Sequence, residues 1–317
     1  MKLVTAFFRL IRWPNLVFIV VTQLLFYYSI IRPFNQLTGG QWLFDTRHLL
    51  LLMIASVLIA AAGYIINDYF DLNIDRINKP EKLVVEKIIK RRWTILWHIF
   101  LSLTGILISV YIDFAERTYW LGFFNFLCVM LLFGYSASLK KKFLVGNVLI
   151  SLLTAWVIIV VFFVYYFKGA YRQWGEYTVI ESYLNRFVKL SIIYAGFAFI
   201  ISLVREVIKD LEDMEGDEKY GCKTMPIVWG IPPTKVFTAV WLIVLIGALV
   251  ILQFYALHLR WWWSIAYSVI TLIIPLLWIL KKLYQAQVAK DYHRLSTAVK
   301  LVMLAGILSM IFFKIYA

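Results

Sequence analysis

Nine stretches of this chain stay apolar for long enough to cross a lipid bilayer as helices. They lie near 14–31, 49–67, 93–112, 118–139, 143–167, 188–204, 236–257, 261–280 and 297–316. A bilayer core asks for about 20 such residues per helix, because no lipid-exposed backbone N–H or C=O can go unpaired there. The spacing therefore predicts an all-α fold, a polytopic membrane helical bundle of nine transmembrane helices. Composition agrees: 62% of residues are apolar and 16% charged, and the mean hydropathy is +0.80. A soluble domain carries about a quarter charged residues. That excludes an ordinary cytosolic domain, a disordered chain and a disulfide-stapled secreted module. The two cysteines, Cys128 and Cys222, offer neither zinc spacing nor a disulfide framework. The first run follows Arg9, Arg12 and Trp13-Pro14 and has no small-residue cleavage site behind it, so it reads as a retained span.

The net charge of +14 invites a nucleic-acid reading, but its distribution opposes one. The N-terminus and the segments 68–92, 140–142, 205–235 and 281–300 hold 23 of the 32 Lys and Arg. These segments all fall on one side of a nine-span chain. The positive-inside rule then places the N-terminus and the basic loops in the cytoplasm and the C-terminus outside, most simply in the plasma membrane. Basic residues facing anionic headgroups account for the pI of 9.6 without nucleic acid, and no obligate protein partner is indicated. The chain reads as a single domain over 1–317, with a hint of halves at 1–142 and 143–281 and a last helix at 297–316.

The 18 acidic residues are clustered. Asp68, Asp71 and Asp75 follow the second span, and Glu206, Asp210, Glu212, Asp213, Glu215, Asp217 and Glu218 follow the sixth. If each span runs on as a helix, Asn67, Asp71 and Asp75 stack at i, i+4 and i+8. Glu206, Asp210, Asp213 and Asp217 then share one face as well. Like charges at that spacing, at the negative end of the helix dipole, require something positive to offset them. Two oxygen-lined helix ends on one side of a membrane suit a hard divalent cation such as Mg²⁺, which is held by a few carboxylates together with substrate phosphates. The scattered His48, His98, His258 and His293 give no zinc or iron set. Ordinary acidic loops paired with Lys and Arg are the competing account, and two clusters in matching register weigh against it.

Asn67-Asp68-x-x-Asp71-x-x-x-Asp75 and Asp210-x-x-Asp213-x-x-x-Asp217 resemble the two aspartate-rich motifs of the UbiA superfamily of intramembrane prenyltransferases. The resemblance extends to Arg12-Trp13-Pro14-Asn15, Arg76-x-Asn78-Lys79-Pro80, Tyr135-Ser136-x-x-Leu139-Lys140 with Gly146-Asn147, and Gly221-x-Lys223-Thr224-Met225-Pro226. It implies a UbiA-type fold of nine spans and transfer of a polyprenyl group from its diphosphate to an acceptor. It also implies Mg²⁺ at Asn67, Asp68, Asp71, Asp75, Asp210, Asp213 and Asp217, with catalytic roles for Asp71, Asp210, Tyr135 and Lys140. Candidate diphosphate clamps are Lys79, Lys82, Lys140, Arg205 and Lys223. Asn15 could bond the substrate headgroup, whereas Asn147 suits a bond to a neighbouring helix. The chemistry fits: ionising an allylic C–O bond leaves negative charge on diphosphate, which Mg²⁺ and cations stabilise, and a prenyl cation that must be shielded from water. One departure stands out. Many relatives have Arg-Pro where this chain has Lys82-Leu83, which loses the planar bidentate grip of arginine.

The segment Arg205–Asp217 looks most like that of members making digeranylgeranylglyceryl phosphate, in which a geranylgeranyl group alkylates geranylgeranylglyceryl phosphate to give an ether lipid. An aromatic acceptor of quinone biosynthesis, hydroxybenzoate or dihydroxynaphthoate, is the alternative. A transporter with acidic gates is a third reading, but its acids would sit mid-span at broken helices.

Overall fold

Each long apolar run forms a helix, and most helices outlast the run that announces them. The computed structural model describes residues 2–33, 46–78, 81, 83–172 and 178–316, without the side chains of 2, 166–172 and 178–186. Lys79 and Lys82 lie outside the described residues. The helices are α1 (Lys2–Leu10), α2 (Trp13–Leu25, prolonged by a π-turn over Phe26–Ile31), α3 (Thr46–Asn78), α4 (Arg91–Glu116), α5 (Leu121–Ala137), α6 (Val145–Arg172) and α7 (Thr178–Lys219). They continue as α8 (Met225–Trp229), α9 (Ile231–His258), α10 (Trp262–Ser268), α11 (Ile274–Gln285, joined to α10 by a π-turn), α12 (Ala289–Leu308) and α13 (Ile311–Ile315).

Eight of these stretches among the described residues are long and apolar enough to cross a membrane. The expected span at 118–139 forms α5, a helix of 17 residues, at the lower end of what a bilayer accepts. Three expected polar connections shorten. The connection at 68–92 begins only after Asn78, that at 205–235 only after Lys219, and that at 168–187 is helical through Arg172 and again from Thr178. A hydropathy window sees the apolar part of a helix and stops at its charged continuation. The backbone does not stop, because each further turn satisfies its own N–H and C=O groups.

Helix α3 is central: it packs along α4, α5 and α2, while α7 packs along α6, α12 and α9. Gly105 on α4 permits the close approach to α3, since a Cβ there would come within 2.8 Å of Ile59 Cγ1 and 3.2 Å of the Ala55 carbonyl oxygen. Short α1 buries Ala6 and Leu10 against Ala61, Ala62 and Ile65 and leaves Leu3, Val4 and Phe8 exposed, an amphipathic arrangement suited to the interface.

At the end of the bundle remote from the acid clusters, the α4–α5 turn is organised by buried Asp113. Its carboxylate accepts the N–H groups of Leu121 at 3.0 Å and Gly122 at 2.6 Å and the hydroxyl of Thr118. Trp120, which precedes α5, offers no capping side chain, so Asp113 supplies the cap from the preceding helix. Asp113→Ala should strand those donors and lower stability by about 1–3 kcal/mol. Thermal unfolding in detergent will check this, and activity measured well below the transition should persist.

Candidate active site

The two acidic motifs occupy the last turns of α3 and α7, at the same end of the bundle. One side chain ties them together. Asn78, the last residue of α3, donates Nδ2 to the Asp213 carbonyl at 3.1 Å and accepts the Gly216 N–H on Oδ1 at 3.0 Å. Glycine is required there: a Cβ on Gly216 would lie 2.3 Å from Asn78 Oδ1. A second tie joins the loop after α7 to the turn after α5, where the Lys223 N–H donates to the Lys141 carbonyl at 2.8 Å. Between these ties sits Cys222, buried and close enough to Asp217, Lys141, Asp71 and Lys140 to feel all four charges. Burial and then Asp217 push its thiol up to about 11, so it is an inert packing group at neutral pH.

On α3 the expected i, i+4 stacking is realised. Asn67 donates to Asp71 at 2.7 Å, and the Lys140 ammonium bridges Asn67 Oδ1, at 3.2 Å, and Asp71 Oδ1. Two oxygens one turn apart thus converge on one positive charge. Asp68 points the other way and takes Arg12 Nη2 at 2.7 Å. Arg12 holds a left-handed backbone (φ 50°, ψ 52°) at the α1–α2 junction, a conformation that costs a non-glycine residue energy. Its guanidinium lies over the Tyr64 ring, 5.2 Å from the centroid. Asp75 lies within electrostatic range of Arg12.

On α7, Asp210 accepts Asn147 Nδ2 at 2.8 Å, so Asn147 does bond a neighbouring helix, and it holds a motif carboxylate in doing so. Asp217 lies within electrostatic range of Asp210. Asp213 contributes its carbonyl to the Asn78 tie. Glu206 binds Lys209 at 2.9 Å and Arg205 at 3.2 Å. Tyr135, near the end of α5, is within reach of Asp71 on one motif and of Glu206 and Asp210 on the other. Asn15 pairs with Lys300 of α12 at 2.7 Å. Lys223 projects its exposed side chain from the loop after α7.

The structure therefore brings together Asn67, Asp71, Lys140 and Tyr135, together with Asp210 and Asn147 across from them. Sequence reasoning passed over Asn78 as a tie, and Lys300 altogether. The first stood within a quoted motif, whereas the second was one basic residue of the 281–300 segment, at the start of the last apolar run. Among the described residues no three His, Cys, Asp or Glu side chains already stand together as a metal cage. The donors nonetheless fit Mg²⁺, which keeps several waters and shares a few carboxylates with substrate phosphates. All are hard oxygens, and Asn67 and Asp71 already converge on a cation.

The UbiA prenyltransferase family model matches residues 36–305. A digeranylgeranylglyceryl phosphate synthase of Sulfurisphaera tokodaii is 30% identical over 276 residues, 86% of this chain and 87% of its own. That of Methanosphaera stadtmanae is 28% identical over 254 residues, 80% of this chain and 82% of its own. Among solved structures, a UbiA homologue of Aeropyrum pernix superposes with a TM-score of 0.60 at 16% identity, covering 97% of this chain and 98% of its own. One from Archaeoglobus fulgidus, bound to GPP and Mg²⁺, superposes with a TM-score of 0.58 at 14% identity, covering 96% and 99%. These two likenesses are likenesses of fold; the family match rests on sequence. The chain belongs to the UbiA prenyltransferase family, and it is an integral membrane enzyme that transfers prenyl groups.

Proposed function

We propose that this enzyme transfers a geranylgeranyl group from its diphosphate to geranylgeranylglyceryl phosphate, forming the second ether bond of an archaeal-type lipid. The observation that carries the reading is the pair of acidic helix ends tied by Asn78, with Tyr135 and Lys140 between them. Its support for this acceptor is the series of relatives named digeranylgeranylglyceryl phosphate synthase, matched over most of both chains. The A. fulgidus homologue bound to GPP and Mg²⁺ supports the donor class and the metal.

In this reading Asn67, Asp71 and Asp75 on α3 and Asp210, Asp213 and Asp217 on α7 would hold Mg²⁺ and, through it, the diphosphate, while Asp68 stays on Arg12. A divalent ion held there would supply Lewis-acid stabilisation of the leaving diphosphate. Lys140 and Lys223 neutralise the remaining charge, joined by Lys79 and Lys82, whereas Arg205, which pairs with Glu206 and lies beside Lys300, is kept for the opposite flank. Lys140 must leave Asp71 part-way for the diphosphate, a short move for a flexible lysine. Asn147 keeps Asp210 aimed into the site. The Tyr135 ring offers a π-face to the developing prenyl cation. The acceptor hydroxyl oxygen attacks the prenyl carbon and forms the C–O ether bond. Its proton passes to the released diphosphate, a stronger base than a carboxylate. One family model spanning residues 36–305 supports the single-domain reading, and the basic loops on the side of the acid clusters support a cytoplasmic site, with the N-terminus inside and the C-terminus outside the plasma membrane.

Three outcomes are expected. Asp71→Ala and Asp210→Ala should each cut turnover by at least about a hundredfold while leaving detergent-solubilised protein monodisperse; near-wild-type rates in either would refute the assignment. Gly216→Ala, which drives a Cβ into Asn78, should lower turnover by at least about tenfold, in line with the cost of a small misplacement at a reacting site. Radiolabelled geranylgeranyl diphosphate offered with each acceptor class should yield an ether lipid. A prenylated aromatic ring as the main product would transfer the enzyme to the quinone branch.

A further inference from the structure

Lys300 is half-buried in the bundle, and no acid among the described residues pairs with it. It sits eleven residues into α12, roughly 16 Å along the helix. His293 near the start of α12 bonds Glu212 of α7 at 2.8 Å, so α12 begins at the same end of the bundle where α3 and α7 finish. Asn67 lies eleven residues before the end of α3 and Asp210 nine before the end of α7. With His293 beside Glu212, seven further residues bring Lys300 level with Arg205, about 7.5 Å deeper along the bundle than Asp210. Its ammonium donates to Asn15 Oδ1 at 2.7 Å and lies 5.2 Å from the Phe18 ring centroid. No carboxylate among the described residues pairs with it. A lysine at that depth is costly and marks a functional pairing.

Its neighbours share the imbalance. Arg205 is close enough to Lys300 to repel it, and the buried Arg205 Nε has no hydrogen-bond partner. Arg205 and Lys209 both draw on the single carboxylate of Glu206. By hydrogen-bonded pairing, three cations stand against one carboxylate, an excess of two positive charges, with the nearby Asp210 assigned to the metal side. Tyr64 connects this group to Arg12, being in reach of Asn15, Arg12 and Arg205 together. Arg12 is itself neutralised by Asp68.

We infer that Lys300, Asn15 and the Nε of Arg205 form a binding site for a phosphate monoester headgroup, and that this site receives the acceptor. A phosphate monoester carries a charge of about −1.5 to −2 at neutral pH, which matches the excess. It offers acceptor oxygens to the free protons of the ammonium and to the orphaned Nε. A monocarboxylate would answer half of that charge. The site lies among α2, α7 and α12, whereas Lys140 and Asn147 approach the motif carboxylates from the α5–α6 side. Two anions can then be held at once without sharing cations on both flanks. The inference rests on the proposed glyceryl phosphate acceptor, and it makes Lys300 a specificity-determining residue for it.

The test reads binding and turnover separately. A saturated 1-alkylglyceryl phosphate, which carries the headgroup without a reacting isoprenoid, should raise the thermal midpoint of the purified enzyme in detergent. Lys300→Met should weaken that binding at least tenfold, and Lys300→Arg should restore most of it. In turnover, Lys300→Met should raise KM for geranylgeranylglyceryl phosphate at least tenfold and leave KM for the prenyl diphosphate within twofold. Equal binding by wild type and Lys300→Met overturns the inference, as does a rise in KM for the prenyl diphosphate alone. Should the methionine variant fail to fold, the wild-type protein still decides: it must bind the phosphate at least tenfold more tightly than the neutral 1-alkylglycerol of the same chain length. Headgroup binding that depends on Lys300, with no ether product from the glyceryl phosphate acceptor, would sink the proposed acceptor and keep the site. Ether product without that dependence would do the reverse.

Discussion

The Asn78 amide is the interaction on which the geometry of the site depends. It closes a circuit between two helices far apart in sequence by donating to one backbone carbonyl of α7 and accepting one backbone N–H. Both bonds go to main chain, so they fix the helix itself and not a rotamer upon it. Gly216 is the complement of Asn78: the contact is so close that only a residue without a Cβ can stand there. The carboxylates of α3 and α7 repel one another, and without such a clasp the two helix ends would splay. Neutral amide bonds hold them close with no charge to be neutralised when a cation binds.

Electrostatics then decides which groups may approach. Each acid cluster sits at the C-terminal end of its helix, where the dipole already disfavours negative charge. Every motif group for which a partner can be named meets a donor: Arg12 on Asp68, Lys140 on Asp71, Asn147 on Asp210. These donors arrive from the α1–α2 junction, the α5–α6 turn and α6, so with α3 and α7 the site is assembled from five separate parts of the chain. Arg12 shows what this arrangement costs. Its backbone is left-handed without being glycine, and the ion pair with Asp68 and the Tyr64 ring are what hold it there.

Much of this was legible in the sequence because it is periodic. Apolar run length gives the spans, and the i, i+4 repeat of Asn67 and Asp71 gives a shared face that the structure reproduces down to a hydrogen bond. What the sequence concealed is not periodic. The Asn15–Lys300 bond joins residues 285 positions apart, and neither α2 nor α12 carries a pattern that points at the other. The true ends of α3 and α7 were hidden because hydropathy marks where lipid stops, not where helix stops. The brevity of α5 was hidden for the opposite reason: Tyr119 and Trp120 extend its apolar run past the point where Asp113 caps the helix.

The division of charge across the bundle has a chemical logic of its own. An enzyme that joins two amphiphiles, each anchored in the same leaflet by its chain, receives both headgroups at neighbouring depths. If both are anions, one undivided basic pocket would bind either in either place and lose its orientation. Oxygen donors on one flank can recognise a diphosphate only through a divalent cation, whereas bare ammonium and guanidinium groups on the other recognise phosphate directly. On the proposed reading the two flanks would therefore bind different ligands even though both ligands are phosphates. Tyr64 and Arg12 stand between them, with Arg12 neutralised by Asp68 so that it does not blur the boundary. Placing the excess positive charge on α7 and α12, away from the α5–α6 turn, is what would let one fold tell its donor from its acceptor.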